Sequence, residues 1–285
     1  MTHETVKITV LVDYAAKDGL DTEHGFAAWV EVGEHSILFD TGQTGVMQAN
    51  AARLGIDLKK AEALVLSHGH FDHTGSVPEF LAENNTARVY FAHGLNIDRY
   101  SCKPGTPVRS IGIPEASRQA LAALPVRRVR DLNQPEYLLP GVGITGPVPR
   151  LSSFEDVGGP FYIDPDSHDD DLINDDQSMW FETNDGIVIL LGCCHAGLVN
   201  TIEYIRSISG VEKVRGVIGG MHLVNADQQR LNKTFMAISP WQPEFLVPCH
   251  CTGASASEQM LGVFGSKIVR PGYAGLTVEV GTIGN

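Results

Sequence analysis

Three histidines and one aspartate lie within six consecutive positions, from His68 to His73, in the run Ser-His-Gly-His-Phe-Asp-His-Thr-Gly. Imidazole nitrogens and carboxylate oxygens are the ligands that zinc, iron and manganese bind in proteins. The apolar run 63–66 predicts a short buried strand before the cluster, and the flanking glycines are typical of a strand-to-helix loop. In such a loop His68 and His70 can reach one ion, while Asp72 and His73 reach a second. A solvated polar loop is the alternative, but three histidines in six positions favour a metal site.

Three more histidines each follow an apolar run farther along the chain, at His195, His222 and His250. Each run predicts a buried strand, and each histidine stands beside a sulfur-containing residue. One such histidine is often a packed core residue, whereas a shared metal site explains all three together. We therefore predict His195 and His250 as ligands. His222, between Met221 and Leu223, is predicted either as a ligand or as a packed residue that hydrogen-bonds behind the ligands.

The adjacent Cys193 and Cys194 precede His195 and leave two interpretations open. A thiolate ligand would favour zinc or another thiophilic metal. Buried thiols also pack as small apolar residues. We expect this packing role for Cys249 and Cys251, and keep both roles open for the adjacent pair.

The elements that must position these residues alternate between strand and helix. Apolar runs predict strands at 7–12, 26–32, 36–39, 63–66, 89–92, 187–191, 214–218 and 245–247. Helices are predicted at 46–54, 78–83, 114–124, 198–208 and 226–237. Strand ends that carry polar residues, each followed by a helix, are typical of a layered α/β fold. The segment 151–178 is rich in Asp, Gly, Pro and Ser and predicts a long loop over the site.

Further short motifs accompany the histidine cluster. They are Glu-His-Gly at 23–25, Leu-Phe-Asp-Thr-Gly at 38–42, Asp-Gln-Ser-Met at 176–179, Gly-Cys-Cys-His-Ala-Gly at 192–197, Gly-Gly-Met-His-Leu at 219–223 and Pro-Cys-His-Cys-Thr-Gly at 248–253. With the His-x-His-x-Asp-His run, they resemble the metallo-β-lactamase superfamily over most of the chain. The match is to a branch of metal-dependent hydrolases and dihydropterin ribofuranosyl-aminobenzene phosphate synthase-like proteins. The resemblance implies an αββα sandwich of two mixed β-sheets flanked by helices, with Asp40 supporting the metal loop from behind the ligands.

The chain departs from the pattern of this superfamily in two places. The family places a histidine, a bridging aspartate and a second histidine after the metal loop. The segment 145–150, where the first of these is expected, contains no histidine, and Gly192 is followed by Cys193 instead of aspartate. Either His195 fills one vacancy, or Cys193 or Cys194 supplies a thiolate. The missing bridge leaves open whether one or two ions bind.

Four residues are predicted near a substrate: Glu23, His24, Arg150 and Tyr273. The first two resemble a branch motif at the pocket rim, although a solvated loop is the alternative. Arg150, like Lys103 and Arg109, could bind a phosphate or carboxylate or simply be solvated. Tyr273 could reach the pocket or pack beside it.

Composition narrows the classes of function. The 285 residues are 43% hydrophobic and are expected to form a single domain over 1–285. A formal net charge of −13 argues against binding nucleic acid or an anionic membrane. Five cysteines, two of them adjacent, are not a secreted disulfide framework, and the N-terminus lacks an apolar signal core. We predict a cytoplasmic protein with reduced thiols, and leave self-association into a homo-oligomer open.

The leading hypothesis is a metal-dependent hydrolase of a small molecule, a phosphoester, lactone or thioester. One or two zinc ions are favoured, with manganese or iron as alternatives. A divalent metal lowers the pKa of bound water to about 7, with Asp72 and His73 as the catalytic residues at the metal. The second hypothesis, implied by the branch, is a transferase on a dihydropterin or phosphoribosyl-type substrate that releases diphosphate. A mono-iron dioxygenase and a non-catalytic binding protein are the less favoured alternatives.

Overall fold

The computed structural model describes residues 4–166 and 169–283. Within these ranges the strands are β1 (Glu4–Val12), β2 (Ala27–Val32), β3 (His35–Phe39), β4 (Ala63–Val65), β5 (Arg88–Ala92), β6 (Tyr100–Ser101), β7 (Arg109–Ser110), β8 (Val129–Leu132), β9 (Glu136–Leu139), β10 (Val142–Ile144), β11 (Phe161–Asp164), β12 (Asp169–Asp170), β13 (Met179–Thr183), β14 (Gly186–Leu191), β15 (Val214–Gly220), β16 (Phe245–Cys249) and β17 (Thr277–Ile283). The α-helices in the same ranges are α1 (Val46–Arg53), α2 (Phe71–Thr74), α3 (Val77–Glu83), α4 (Glu115–Ala122), α5 (Leu198–Ser209), α6 (Gln228–Ile238) and α7 (Ala254–Phe264).

Most of the strands join one mixed sheet that doubles over into two facing halves. Its path through the described residues is β16-β15-β14-β13-β17-β1-β2-β3-β4-β5-β8, with β10 beside β13 and β9 beside β10. One buried cluster contains Phe39 and Val65 from one half together with Val188 and Phe245 from the other. The two halves therefore pack face to face, and β17 links them by pairing with both β1 and β13.

Helices cover the outer face of each half. Successive side chains of a strand point to opposite faces, so burial of both faces needs a second apolar layer. Met47 and Phe80 of α1 and α3 pack in the cluster that covers the β1–β5 half. Ile202, Phe235 and Met260, from α5 to α7, pack in the cluster that covers the β13–β16 half. The predicted αββα sandwich is confirmed.

Two sets of parallel strands carry the predicted site residues at their carboxyl ends. Strands β3, β4, β5 and β8 are parallel, as are β14, β15 and β16. Asp40 follows β3, and the histidine cluster follows β4. Cys193, His222 and His250 follow β14, β15 and β16. Because parallel strands end at one edge, the topology delivers these residues to a common crevice.

The segment 151–178 differs from the uniform loop that its composition predicts. Residues 167 and 168 lie outside the described residues. Around them, β11 and β12 pair with each other, and β11 also pairs with β6, which pairs with β7. This small sheet uses strands of two to four residues, and these are too short to produce a clear alternation in the sequence.

None of the helices in the described ranges has the length and apolar character needed to cross a bilayer.

Candidate metal centre

Asp40 organises the metal loop from behind the histidines. The aspartate is fully buried and has a left-handed backbone, with φ of 58°. Its carboxylate accepts hydrogen bonds from the backbone N–H and the hydroxyl of Ser67, both at 2.7 Å. It also lies 2.7 Å from Nδ1 of His73. A proton held on Nδ1 leaves Nε2 of His73 as the nitrogen that can bind a metal.

The first donor group consists of His68, His70 and His195, whose donor atoms lie within 4.8 Å of one another. Nε2 of His68 is 2.9 Å from Nδ1 of His70. Nδ1 of His195 is 2.8 Å from the carbonyl oxygen of Val157, which fixes the ring so that Nε2 faces the group. Among the described residues, this buried Nε2 has no hydrogen-bond partner. His195 is therefore available as the third donor of this group.

The three histidines of the first group are held in the neutral form. Burial lowers the pKa of all three well below the usual value, and neighbouring histidines, with Arg99 beside His70, lower it further. Neutral imidazole is the form that binds metal ions.

The second donor group consists of Asp72, His73 and His250. Oδ2 of Asp72 lies 3.3 Å from Nε2 of His250 and 3.9 Å from Nε2 of His73. Burial acts to raise the pKa of Asp72, but His73 and the rings of His24 and His250 hold it well below its usual range. Asp72 is therefore an anion at neutral pH.

Cys193 stands between the two groups. Its Sγ is 3.1 Å from Nε2 of His73. The sulfur shares one donor cluster with His68 and His73, and another with His195 and His222. The thiol is thus placed beside both donor groups.

The residues present fit a metal centre on two observations. The two donor groups share no residue, so each can hold one ion. In the described part of the chain, buried ring nitrogens of His70, His195, His222 and His250 have no hydrogen-bond partner. Such atoms are costly to bury unless something binds them. The mixed nitrogen, oxygen and sulfur set is of the kind that zinc, iron and manganese use.

Metal affinity is expected to depend on pH through His73. Burial lowers the pKa of this histidine, but the carboxylates of Asp40 and Asp72 outweigh burial and raise it to about 9. Below that pH a metal must displace a proton from the ring, so affinity rises with pH. We expect the number of protons released per bound ion to fall by about one as pH rises through about 9.

Chelator-competition titrations between pH 6.5 and 9.5 measure this release. The variant Asp40→Asn removes the charge that holds the proton, so its transition should move to lower pH. A proton release that stays constant across this window in the unmodified protein would contradict the assignment of His73.

The structure gives the four predicted substrate residues different places. His24 lines the cavity described below, with Nε2 3.1 Å from Oδ2 of Asp72. Glu23 is absent from the described lining. Its carboxylate accepts hydrogen bonds from the backbone N–H groups of Gln43 and Thr44, both at 2.9 Å. It therefore shapes the loop beneath His24 instead of facing a substrate.

Arg150 and Tyr273 are also missing from the described lining of that cavity. The Arg150 guanidinium donates to the carbonyl oxygen of His195 at 2.6 Å and to that of Leu172. It holds the turn that carries His195. Tyr273 is half-buried in the turn before β17.

The cavity in front of the donors has a volume of about 430 Å³. Its lining includes His70, Asp72, Cys193, His222 and His250 from the candidate centre. Sequence reasoning missed most of the remaining lining: Tyr14, Phe71, Ser101, Thr106, Ile111, Phe161, Val224, Asn225 and Cys251. Most come from loops or from the short strands, where no periodicity marks them.

His24 connects the second donor group to the rim. Nδ1 of its ring lies 2.7 Å from the hydroxyl of Tyr14, and the ring stacks on Phe71. Burial raises the pKa of the Tyr14 hydroxyl, so this group stays protonated. His24 and Tyr14 thus place two hydrogen-bonded, proton-bearing groups beside Asp72.

A buried ion-pair network also holds the metal loop. Arg99 is 1% exposed and donates to Asp171 at 2.8 Å and to Asp175 at 2.5 Å. Asp175 also accepts a hydrogen bond from the backbone N–H of Gly69 at 2.8 Å. Sequence reasoning missed this network because charged residues in polar segments are usually solvated.

Comparison with known proteins places the chain in a family. The family model for the metallo-beta-lactamase superfamily matches residues 20–204, and this chain belongs to that superfamily. The uncharacterized protein MJ0448 of Methanocaldococcus jannaschii is 31% identical over 257 residues, which are 87% of this chain and 91% of that protein.

Two named relatives differ in activity. One from Methanocaldococcus jannaschii, 7,8-dihydropterin-6-methyl-4-(beta-D-ribofuranosyl)-aminobenzene-5'-phosphate synthase, is 29% identical over 92% of each chain. The crystal structure of Tm1679, described as a metal-dependent hydrolase of the beta-lactamase superfamily, superposes with a TM-score of 0.80. Its sequence is 27% identical, with 97% of this chain and 99% of that one covered. The predicted superfamily and its branch are confirmed, and the activity is left between a hydrolase and a synthase.

Proposed function

We propose that this protein is a metal-dependent hydrolase of a small anionic molecule, with zinc as the favoured ion. The observation that carries the proposal is that members of both donor groups line one open cavity. His70 of the first group and Asp72 and His250 of the second face the same 430 Å³ space. A substrate in this cavity meets both candidate ion positions at once.

The chain's own residues divide the work of the reaction. A divalent cation held by the two donor groups would make hydroxide available at neutral pH and polarise the bond under attack. Asp72 carries the negative charge that orients the attacking group by accepting its hydrogen bond. Asp40 keeps the proton on Nδ1 of His73, and so leaves Nε2 as the nitrogen that would bind the cation. His24, 3.1 Å from Asp72 and hydrogen-bonded to Tyr14, is placed to pass a proton to the leaving group.

Basic residues at the cavity support an anionic substrate. Lys103 and Arg109 line it and are exposed. Among the described residues, neither has an acidic partner in an ion pair. The lining also includes the aromatic rings of Phe71 and Phe161. This combination supports a phosphoester, or a lactone or thioester that carries an acidic group, over a neutral substrate.

Removal of these two charges tests the substrate class. We expect Lys103→Ala and Arg109→Ala each to raise KM for an anionic substrate about fivefold, the equivalent of about 1 kcal/mol for an exposed ion pair. The effect should shrink at high salt, because exposed charges are screened. The matched control is Lys213→Ala, which removes an exposed lysine paired with Glu244 outside the cavity lining. Equal KM values for all three variants would contradict the proposal that the substrate is anionic.

The hydrolase proposal is tested by metal-reconstituted turnover. Protein stripped with a chelator and reloaded with zinc is offered p-nitrophenyl phosphate, a simple lactone and an acyl thioester. We expect zinc-dependent cleavage of at least one, and its loss in His68→Ala. Zinc-loaded protein that cleaves none of them would contradict the proposal.

The relative named as a synthase favours a second candidate function. In a transferase the cation would bind a diphosphate leaving group, and Lys103 and Arg109 would meet the same charge. Release of diphosphate from a dihydropterin diphosphate, in the presence of a phosphoribosyl-type acceptor, distinguishes the two. For either activity, hydrolase or transferase, the acidic composition and the five free cysteines support a cytoplasmic enzyme that acts on a small molecule.

A further inference from the structure

Cys251 was expected to pack as an apolar residue, and the structure places its buried sulfur beside donor atoms of the candidate metal centre. It follows His250 in the turn after β16 and is 6% exposed. Its side chain lines the cavity. Its Sγ, the Sγ of Cys193 and a ring nitrogen of His250 all lie within 4.8 Å of one another.

The fold makes room for this sulfur and fixes its position. A Cβ atom on Gly220 would lie 2.7 Å from Sγ of Cys251, so only glycine fits there without displacing the thiol. The backbone carbonyl of Cys251 accepts a hydrogen bond from the N–H of Val224 at 3.2 Å. The hydroxyl of Thr252 accepts one from the N–H of Met221 at 3.0 Å. The turns after β15 and β16 are therefore locked together around the thiol.

Buried histidines beside the sulfurs point to a ligand. His250 is 4% exposed and its Nδ1 has no hydrogen-bond partner among the described residues. His222 is 7% exposed and its Nδ1 is likewise unpartnered in that part of the chain. Both residues have left-handed backbones, with φ of 45° and 43°, a costly conformation that clusters at functional sites.

The other two buried cysteines on these strand ends turn away from the centre. Sγ of Cys249 lies 3.5 Å from the carbonyl oxygen of Val247, inside the core cluster between the sheets. Sγ of Cys194 lies 3.4 Å from the hydroxyl of Thr201, in the core beneath α5. Cys249 and Cys194 are therefore matched controls: they are as buried as Cys251 but lie away from the cavity.

We propose that Cys251 is a metal ligand, which with Cys193 and His250 forms a thiolate-rich position that selects thiophilic divalent ions such as zinc, cobalt or cadmium over manganese. The inference rests on the metal centre of the proposed function and adds a donor to it. On binding, each thiol loses one proton to solvent and forms one sulfur–metal bond, with no change in oxidation state. Thiolate donors favour softer ions, so the centre should discriminate against hard, oxygen-seeking ones.

Cobalt substitution tests the proposal without measuring turnover. Protein loaded with Co²⁺ is expected to show a thiolate-to-cobalt charge-transfer band in the near ultraviolet. Cys251→Ser and Cys193→Ser should each weaken the band, and the double variant should abolish it. Cys249→Ser and Cys194→Ser should leave it unchanged. Free thiols are counted first, and fewer than the five in the sequence, with no band, would mean a Cys193–Cys251 disulfide and overturn the proposal.

Two further outcomes separate this proposal from the one on which it rests. Bound Co²⁺ that shows only ligand-field bands would leave the histidine–aspartate centre standing and overturn the thiolate position. Failure to bind Co²⁺ at all would overturn both. Because serine variants can fold poorly, ¹¹³Cd resonance of the unmodified protein is a second measurement. A shift in the range of sulfur ligation supports the proposal, and one in the nitrogen and oxygen range contradicts it.

Discussion

The variant Asp72→Asn is expected to lose about a thousandfold in kcat/KM on whichever substrate the zinc-loaded protein turns over. The carboxylate is 5% exposed and lies near two histidines of its donor group, at 3.3 Å and 3.9 Å. Asparagine keeps the shape but removes the negative charge that binds the cation and orients the attacking group. Loss of several kcal/mol of charge stabilisation, at about 1.4 kcal/mol for each factor of ten, gives this magnitude.

Metal content and kinetics must be measured together for this variant. We expect Asp72→Asn to retain less of one ion while the His68, His70 and His195 group stays loaded. The matched control is Asp131→Asn, which changes an exposed aspartate paired with His93. Unchanged turnover and metal content in Asp72→Asn would remove Asp72 from the site, whatever the role of the histidines.

The part of the centre that could be predicted from sequence is the part that local chain geometry determines. His68, His70, Asp72 and His73 belong to one loop, so their spacing alone indicates a shared site. His195 and His250 were predicted because each follows an apolar strand, and parallel strands end at the same edge. The structure brings both to that edge, one in each donor group.

The remainder depends on contacts that no local pattern encodes. Glu23 was placed near a substrate because it resembles a branch motif, and Arg150 because its charge could bind an anion. Instead, Glu23 accepts hydrogen bonds from Gln43 and Thr44, and Arg150 donates to backbone carbonyls of distant segments. Cys251 and Cys249 are two positions apart and look alike in sequence. Only the twist of the turn after β16 sends one to the cavity and the other to the core. Direction of a side chain at a strand end is a tertiary property, and composition carries little of it.

The buried ion-pair network behind the metal loop also depends on contacts between distant segments. A substitution there is expected to have the largest effect on stability. Arg99 is the countercharge of both Asp171 and Asp175. Burial raises the pKa of Asp175, and the guanidinium works against that rise. In Arg99→Met two buried carboxylates lose their partner, so we expect the free energy of unfolding to fall by about 3–5 kcal/mol. Because Asp175 holds the N–H of Gly69, between His68 and His70, metal affinity should also fall, by roughly 10–100-fold.

Denaturant unfolding of the metal-free protein measures the first effect without the contribution of bound ions. The triple variant Arg99→Met/Asp171→Asn/Asp175→Asn removes all three charges and should recover part of the loss, because the penalty comes from unpaired buried charge. The control Arg118→Met breaks a more exposed pair with Asp98 and should cost no more than about 1 kcal/mol. If Arg99→Met proves as stable as Arg118→Met, the network does not hold the metal loop, and the position of Gly69 must come from the strand end and Asp40 alone.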